Sequence, residues 1–328
     1  MISEKQVAID AVLKAAALCQ RVQADMVNTD SMEKADRSPV TVADFGSQAL
    51  ICRAISKAFP DDIIVAEEDA QTLRENRLIL ERVTEYVNQL GDASSSQAVC
   101  DWIDCGGGNV GGRFWTLDPI DGTKGFLRRD QYAIALALIV DGQVRLGVLG
   151  CPNLPHRLDV PQVKPSEEPD PIGAGSGCLF VAVRSEGTRM LSLDGNASEQ
   201  IRISQTPLRF AESFEAAHGD HDTHIEIARQ IGITEAPIRM DSQAKYGLVA
   251  RGDASVYIRL PNPANPNYRE CIWDHAAGMI VVEEAGGKVT DAEGRSLDFL
   301  QGRRMAANRG IVATNGELHP RVLESIRS

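Results

Sequence analysis

Phe114-Trp115-Thr116-Leu117-Asp118-Pro119-Ile120-Asp121-Gly122-Thr123-Lys124-Gly125-Phe126-Leu127 is the stretch around which the chain is organised. Phe114 to Leu117 reads as the end of a buried strand. Pro119 has no N–H to give, which argues against a smooth continuation of ladder or helix, so a turn is expected there. Asp118 and Asp121 would project from that turn with the Ile120 carbonyl between them, and a Gly122-Thr123 step opens the next element. Such a turn concentrates hard oxygen ligands beside backbone N–H groups able to hold an anion. Asp, Pro and Gly are also what an ordinary strand-to-helix turn uses, so the local chemistry leaves both readings open.

A chain of 328 residues exceeds the usual single-domain size, and two domains are expected. Hydrophobic residues make up 43% and charged residues 24%, an ordinary globular composition. A net charge of -12 argues against a sequence-independent grip on a nucleic acid polymer, which needs a basic surface, but leaves room for a small phosphorylated ligand in a locally basic pocket. Seven irregularly spaced cysteines read as reduced thiols. No segment approaches the length of a membrane span, and Met1 to Lys14 lacks the regions of a signal peptide, so the expectation is a cytoplasmic protein without membrane contact.

Apolar residues recur at helical spacing over 3–27, with Ser3 and Gln6 as a capping box. A second helix is expected from Val42 to Phe59, with Thr41 as N-cap, Pro60 as stop and Asp44 in the first turn at the positive end of the dipole. A short strand then runs into Glu67 and Glu68, followed by a helix over 71–90 and a polar loop over 91–112. Gly106, Gly108 and Gly111 match G-x-G-x-x-G literally, but they precede a strand instead of following one, which rules out the dinucleotide reading. Tyr132 to Val140 and Val144 to Leu149 form a hairpin about Asp141-Gly142. The proline-rich 151–177 segment reads as a surface loop, and further strands of the same sheet follow at 178–184, 189–193 and 200–204. Beyond residue 208 short strands alternate with helices, the rhythm of an α/β layer: strands at 212–217, 238–240 and 254–260, helices near 222–231, 242–251 and 274–285. A hairpin through Asp291 to Gly294 and a last strand and helix over 310–326 close the chain.

Glu67, Asp118, Asp121 and Asp274 each stand at an inferred end of an apolar element. Four carboxylates and a carbonyl suit Mg2+, and no Cys and His cluster suggests zinc. His218, His221 and His224 recur every three residues, which does not place three ligands on one helix face, and they read as solvated imidazoles at a loop-to-helix junction. Two ions held about 4 Å apart by bridging carboxylates are a recurring device for phosphoryl transfer to water, with Asp44 and Thr123 available to orient and deprotonate that water.

The central string, Glu67-Glu68 before it and Trp273-Asp274 with Ala276, Ala277 and Gly278 after it resemble the inositol monophosphatase superfamily. The longer run Trp115 to Arg128, Asp241 to Tyr246, and Tyr257 to Pro261 resemble its 3'(2'),5'-bisphosphate nucleotidases. The resemblance implies a layered αβαβα sandwich of the inositol monophosphatase and fructose-1,6-bisphosphatase type. It divides into an α+β domain over 1–206, with the antiparallel sheet and most metal ligands, and an α/β domain over 207–328. It implies a lithium-sensitive phosphatase of sulfur metabolism, using two or three Mg2+ ions. Glu67, Asp118 and the Ile120 carbonyl would hold one ion, and Asp118, Asp121 and Asp274 a second. Thr123 with Asp44 would activate water, while Gly122 and Thr123 N–H groups receive the scissile phosphate. His218 would lie near the adenine, and Asp241, Ser242, Lys245 and Arg259 would contact the nucleoside and the 5'-phosphate. A monomer or homodimer acting on a small nucleotide is expected, the substrate being adenosine 3',5'-bisphosphate or also its phosphosulfate form. The alternatives are an inositol phosphate phosphatase and a nucleotide sensor without turnover.

Overall fold

The computed structural model describes residues 3–29, 38–91, 93–156, 177–214, 221–261, 265 and 267–328. Helix α1 (Glu4–Thr29) buries one stripe, including Ala8, Val12, Ala15, Cys19 and Val22. Its capping box is half formed: Ser3 Oγ accepts the Gln6 N–H at 3.3 Å, but the Gln6 amide reaches forward to Asp10. Helix α2 (Ser38–Ala58) begins a turn earlier than Thr41 suggested, with Pro39 suited to its opening, so Asp44 lies in the second turn and is buried instead of serving the dipole.

Strand β1 (Ile63–Ala66) pairs in parallel with β2 (Arg113–Asp121). Between them the expected single helix is two, α3 (Gln71–Glu75) and α4 (Arg77–Leu90), because Asn76 leaves helical geometry and caps the Ile79 N–H with its side chain. The expected polar loop contains α5 (Ser96–Asp104), capped by Ser95 and anchored through buried Val99, Cys100 and Ile103. The glycines after it cover the outer edge of β1: Ala66 N–H donates to Gly106 O and Gly108 N–H to Ile64 O. A Cβ at Gly106 would lie 2.6 Å from Ala66 Cβ, and one at Gly108 2.4 Å from Ile63 Cγ2, so only glycine lets the backbone seal this edge.

From β2 the sheet continues through α6 (Thr123–Arg128) into antiparallel strands β3 (Ala133–Val140), β4 (Gln143–Cys151), β5 (Cys178–Val183), β6 (Gly187–Ser192) and β7 (Ser198–Ile201), in sequential order. Asp141 and Gly142 both take positive φ, as a tight hairpin requires. Most of the proline-rich segment lies outside the described residues.

The second sheet contains β8 (Phe210–Glu212), β9 (Ile238–Arg239), β10 (Val256–Arg259), β11 (Lys288–Thr290) and β12 (Ile311–Thr314), in the order β11-β12-β10-β8-β9. β8, β9 and β10 run parallel, and β12 is antiparallel to β10. The turn at Asp291–Gly294 forms, but no strand follows it; β11 pairs with the later β12. Asp291 explains the difference, since its carboxylate accepts the Glu293 and Arg295 N–H groups and the Asn308 amide, closing the segment into a loop.

Helices α1 and α2 pack on one face of the first sheet. Between the sheets lie α8 (Ala244–Ala250) and α9 (Ala276–Glu284), while α7 (His221–Ile231) and α10 (His319–Arg327) cover the outside of the second. The order of layers is αβαβα. The sheets divide between Ile201 and Phe210, yet one core cluster joins Phe180 of the first to Val249, Tyr257 and Ala313 of the second layer pair. All seven cysteines are free. No helix among the described residues is long and apolar enough to cross a membrane.

Candidate active site

Pro119 does not end the strand: β2 runs on to Asp121 through a bulge. Asp118 pairs with Ala135 and Asp121 with Ala133, so three steps on β2 match two on β3. Residues i and i+3 of a regular strand face opposite sides, and one extra residue returns them to the same side. The bulge is therefore what brings both carboxylates to the cleft. Asp118 Oδ1 accepts the Ile120 N–H at 3.1 Å, and Ser47 Oγ of α2 donates to Pro119 O at 3.0 Å, satisfying a carbonyl released from the ladder.

The cleft, of about 250 Å³, lies where β1 and β2 end against the second sheet's layer. Glu67, Asp118, Ile120, Asp121 and Asp274 line it, with Gly122 and Thr123 at the start of α6. Gly122 has φ of 89°, and a Cβ there would meet Ser242 Cβ at 2.9 Å, so this step needs glycine twice over. Lys245, Tyr257 and Arg259 line it as well, with Asp241 and Ser242. His218 lies outside the described residues. His224, expected to be solvated, is 1% exposed and stacks on Phe210 with Glu212 3.4 Å away, because α7 turns it into the core.

Burial dominates the electrostatics of the acid side, with charge crowding second. Burial, then the Glu68 and Asp274 charges, raise the Glu67 carboxyl to about 7 even though solvent reaches it in the cleft. Burial raises Asp274 to about 6. Asp118 is pushed well up by burial and then by Glu67 and Asp121. Asp44 is likewise raised by burial and by Glu68 and Glu67. It lies beneath the cleft instead of lining it, and among the described residues it forms no hydrogen bond to Thr123.

Several residues hold these groups in ways the sequence does not show. Gln48 of α2 grips the end of β1, its amide donating to Glu68 O at 2.6 Å and accepting the Glu68 N–H at 3.0 Å. Ser242 takes a positive φ of 70°, and the Gln243 N–H that follows donates to Asp121 Oδ2 at 2.7 Å. The Gln243 side chain then donates to Trp273 O, tying Asp121 to the Asp274 turn. Arg303 stacks over Trp273 and donates to Ala66 O, bridging the segments of Asp274 and Glu67. Arg128 pairs with Asp241 and lies over Phe214 at the mouth. Tight polar tethers of this kind leave no trace in local spacing.

The described residues' tightest set of potential metal ligands is Glu270, Asp274 and His275, whose donor atoms lie within 4.8 Å of one another. Two of the three are already engaged: Glu270 pairs with Arg259 at 2.9 Å and with His275 at 3.4 Å. Asp274 alone of that set faces the cleft.

Residues 3–328 match the sequence model of the Inositol monophosphatase family. The chain belongs to this family. Among its inositol monophosphatase family relatives, a 3'(2'),5'-bisphosphate nucleotidase from Oryza sativa is 45% identical, with 99% of this chain and 94% of that protein aligned. A protein of the same name from Emericella nidulans is 42% identical, over 99% and 97%. Among solved structures, an inositol monophosphatase from Anabaena superimposes with a TM-score of 0.60 at 21% identity, covering 98% of this chain and 94% of the other. The extragenic suppressor protein suhB from Bartonella henselae gives 0.59 at 20%, covering 98% of each. The αβαβα layering is thus the fold of the family.

Proposed function

We propose that this chain is a Mg2+-dependent 3'(2'),5'-bisphosphate nucleotidase, a phosphoric monoester hydrolase that removes the 3'-phosphate of adenosine 3',5'-bisphosphate. The observation that carries the reading is that one cleft gathers the carboxylates Glu67, Asp118, Asp121 and Asp274 together with the cations Lys245 and Arg259, which suits a small substrate bearing two phosphates. The names of the relatives at 45% and 42% identity support the nucleotide over an inositol phosphate.

The acid side fits magnesium: its donors are all oxygens, and Glu67, Asp118 and Asp274, raised first by burial and then by neighbouring carboxylates, are groups whose charged form a cation would favour. Glu67, Asp118, Asp121, Asp274 and the Ile120 carbonyl would hold the metal. Bound there, Mg2+ would neutralise phosphoryl charge and lower the pKa of a coordinated water. Thr123 lines the cleft and would orient the attacking water; Asp44, buried and not hydrogen-bonded to Thr123 in this structure, would take up the proton only once substrate and metal bring the two into contact. The N–H groups of Gly122 and Thr123 receive the scissile phosphate, while Lys245 and Arg259 hold the phosphate that stays. Asp241 and Ser242 contact the nucleoside.

A substrate panel tests this reading. Adenosine 3',5'-bisphosphate, its 5'-phosphosulfate form and inositol 1-phosphate are offered with and without Mg2+, and with Li+, and phosphate release is followed. Preferential, Mg2+-dependent release from the bisphosphate is expected; preferential release from inositol 1-phosphate, or tight binding without product, would overturn it.

A further inference from the structure

Tyr246, His275 and Glu270 form a buried hydrogen-bonded chain that ends on Arg259. The Tyr246 hydroxyl lies 2.8 Å from His275 Nδ1, His275 Nε2 lies 3.4 Å from Glu270 Oε2, and Glu270 Oε1 lies 2.9 Å from Arg259 Nε. One tautomer serves the whole chain: with Nε2–H facing the carboxylate, Nδ1 accepts from the tyrosine O–H. Tyr246, His275 and Glu270 are 0%, 1% and 8% exposed, and none of them lines the cleft, whereas Arg259 does. A buried carboxylate between an imidazole and a guanidinium contributes little net stability, because desolvation opposes the attraction. Its consequence is geometric. Glu270 holds Nε, which fixes one edge of the planar guanidinium of a residue that lines the cleft.

We propose that Tyr246, His275 and Glu270 are positioning residues for the substrate's second phosphate: they aim the Arg259 guanidinium at the phosphate that is not cleaved. The inference rests on the bisphosphate reading above and adds the device by which the protein would prefer a bisphosphate to a monophosphate. Arg259 without the chain keeps its charge but loses its aim, so binding of a phosphate at the 5' position weakens while the hydrolytic side is untouched.

Tyr246→Phe removes only the hydroxyl and keeps the ring, which packs edge-on against Tyr257 at 5.0 Å. In the presence of Mg2+, adenosine 5'-monophosphate and adenosine 3'-monophosphate are compared as competitive inhibitors of wild type, Tyr246→Phe and Glu270→Gln. The variants are expected to lose about tenfold in affinity for the 5'-monophosphate and less than about twofold for the 3'-monophosphate, the scale of one hydrogen bond to a charged group. KM for the bisphosphate rises in step while kcat holds. His275→Gln, whose amide both donates and accepts, recovers part of what His275→Ala loses. A wild type that releases no phosphate from the bisphosphate overturns both the substrate reading and the relay built on it. A wild type that turns over normally, with variants that weaken both monophosphates alike or lose kcat at unchanged KM, overturns the relay alone.

Discussion

In the cleft, Glu67, Asp118 and Asp121 sit at the ends of two neighbouring parallel strands, and the bulge at Pro119 and Ile120 aims the last two together. The cations come from other elements, Lys245 from α8 and Arg259 from β10, and each is held by a partner of its own, Lys245 by a nearby carbonyl and Arg259 by the Glu270 carboxylate. The acid side accumulates like charges and is strained without a counter-ion; the cationic side is individually compensated. Lys245 donates to Met240 O at 3.1 Å and lies 5.3 Å from the Tyr257 ring centre, and Arg259 is paired with Glu270 at 2.9 Å. The contrast teaches that the first side is built to be completed by a cation and the second to be opened by an anion.

The largest expected effect breaks the acid side. Asp118→Asn keeps the shape of a central donor but removes its charge, and kcat/KM for the bisphosphate is expected to fall by about a thousandfold or more, the scale on which charge stabilisation acts in water-excluded sites. Metal-free stability moves the opposite way. Glu67 sits at about 7 in the folded protein against an ordinary 4.5, so the folded state holds a proton that the unfolded chain has already released. That contribution is complete below the unfolded value and is lost as pH rises through about 7. The melting temperature of metal-free wild type should therefore fall between about pH 5 and pH 8, and Mg2+ should raise it more at the upper end. In Asp118→Asn the fall should be shallower and the Mg2+ effect small. A pH-independent melting temperature in the absence of metal would refute the account of this side as buried carboxylates that also repel one another.

The cationic side predicts a smaller effect confined to binding. Burial lowers the Lys245 ammonium to about 8, partly offset by Asp121 and Asp241. Above that pH the free enzyme loses the charge, so kcat/KM for the bisphosphate should decline through about 8, with kcat at saturation moving less. Lys245→Met keeps the buried stem and abolishes the ammonium. It should raise KM by about tenfold to a hundredfold and remove that alkaline limb, as measured by initial rates across pH. A Lys245→Met enzyme that keeps the wild-type limb would assign the titration to another group.

The two sides also differ in how much of them the sequence displays. Asp118, Ile120, Asp121, Gly122 and Thr123 fall within six residues, so the candidate oxygen cluster is visible in the sequence, and so is the switch near residue 208 from antiparallel strand spacing to strand-helix alternation, while the αβαβα order comes from the family resemblance. The bulge was hidden because Pro119 reads as a stop, whereas here it is one of the two residues, with Ile120, that the ladder skips. Helix α5 was hidden by the glycines after it, whose role is to seal the edge of β1. Lys245 and Arg259 are visible only as charges: that they share a cleft with Asp118 depends on the packing of one sheet's layer against the other's. Gln48, Gln243, Glu270 and Arg303 work through partners 20 or more residues away or from another element, and no local pattern marks them.

The smallest expected effect asks how far even the contiguous motif depends on such support. Ser47 is fully buried on α2, and its hydroxyl is the hydrogen-bond donor to Pro119 O at 3.0 Å, within the bulge itself. Ser47→Ala leaves that carbonyl buried without a partner and changes no group that meets substrate. If the bulge is held by its own sequence, the substitution costs about 1 kcal/mol of stability, read by denaturant unfolding, and leaves the Mg2+ dependence of the rate where it was. If the bulge needs α2 to hold it, Asp118 and Asp121 lose their common aim, and the Mg2+ concentration for half-maximal rate rises by several-fold, on the order of the same 1 kcal/mol. The second outcome is the expected one. Pro119 removes a ladder N–H and the extra residue misaligns its neighbours, so the turn has few hydrogen bonds of its own, and the helix that carries Asp44 also supplies, one turn further on, the group that fixes the metal-facing strand end.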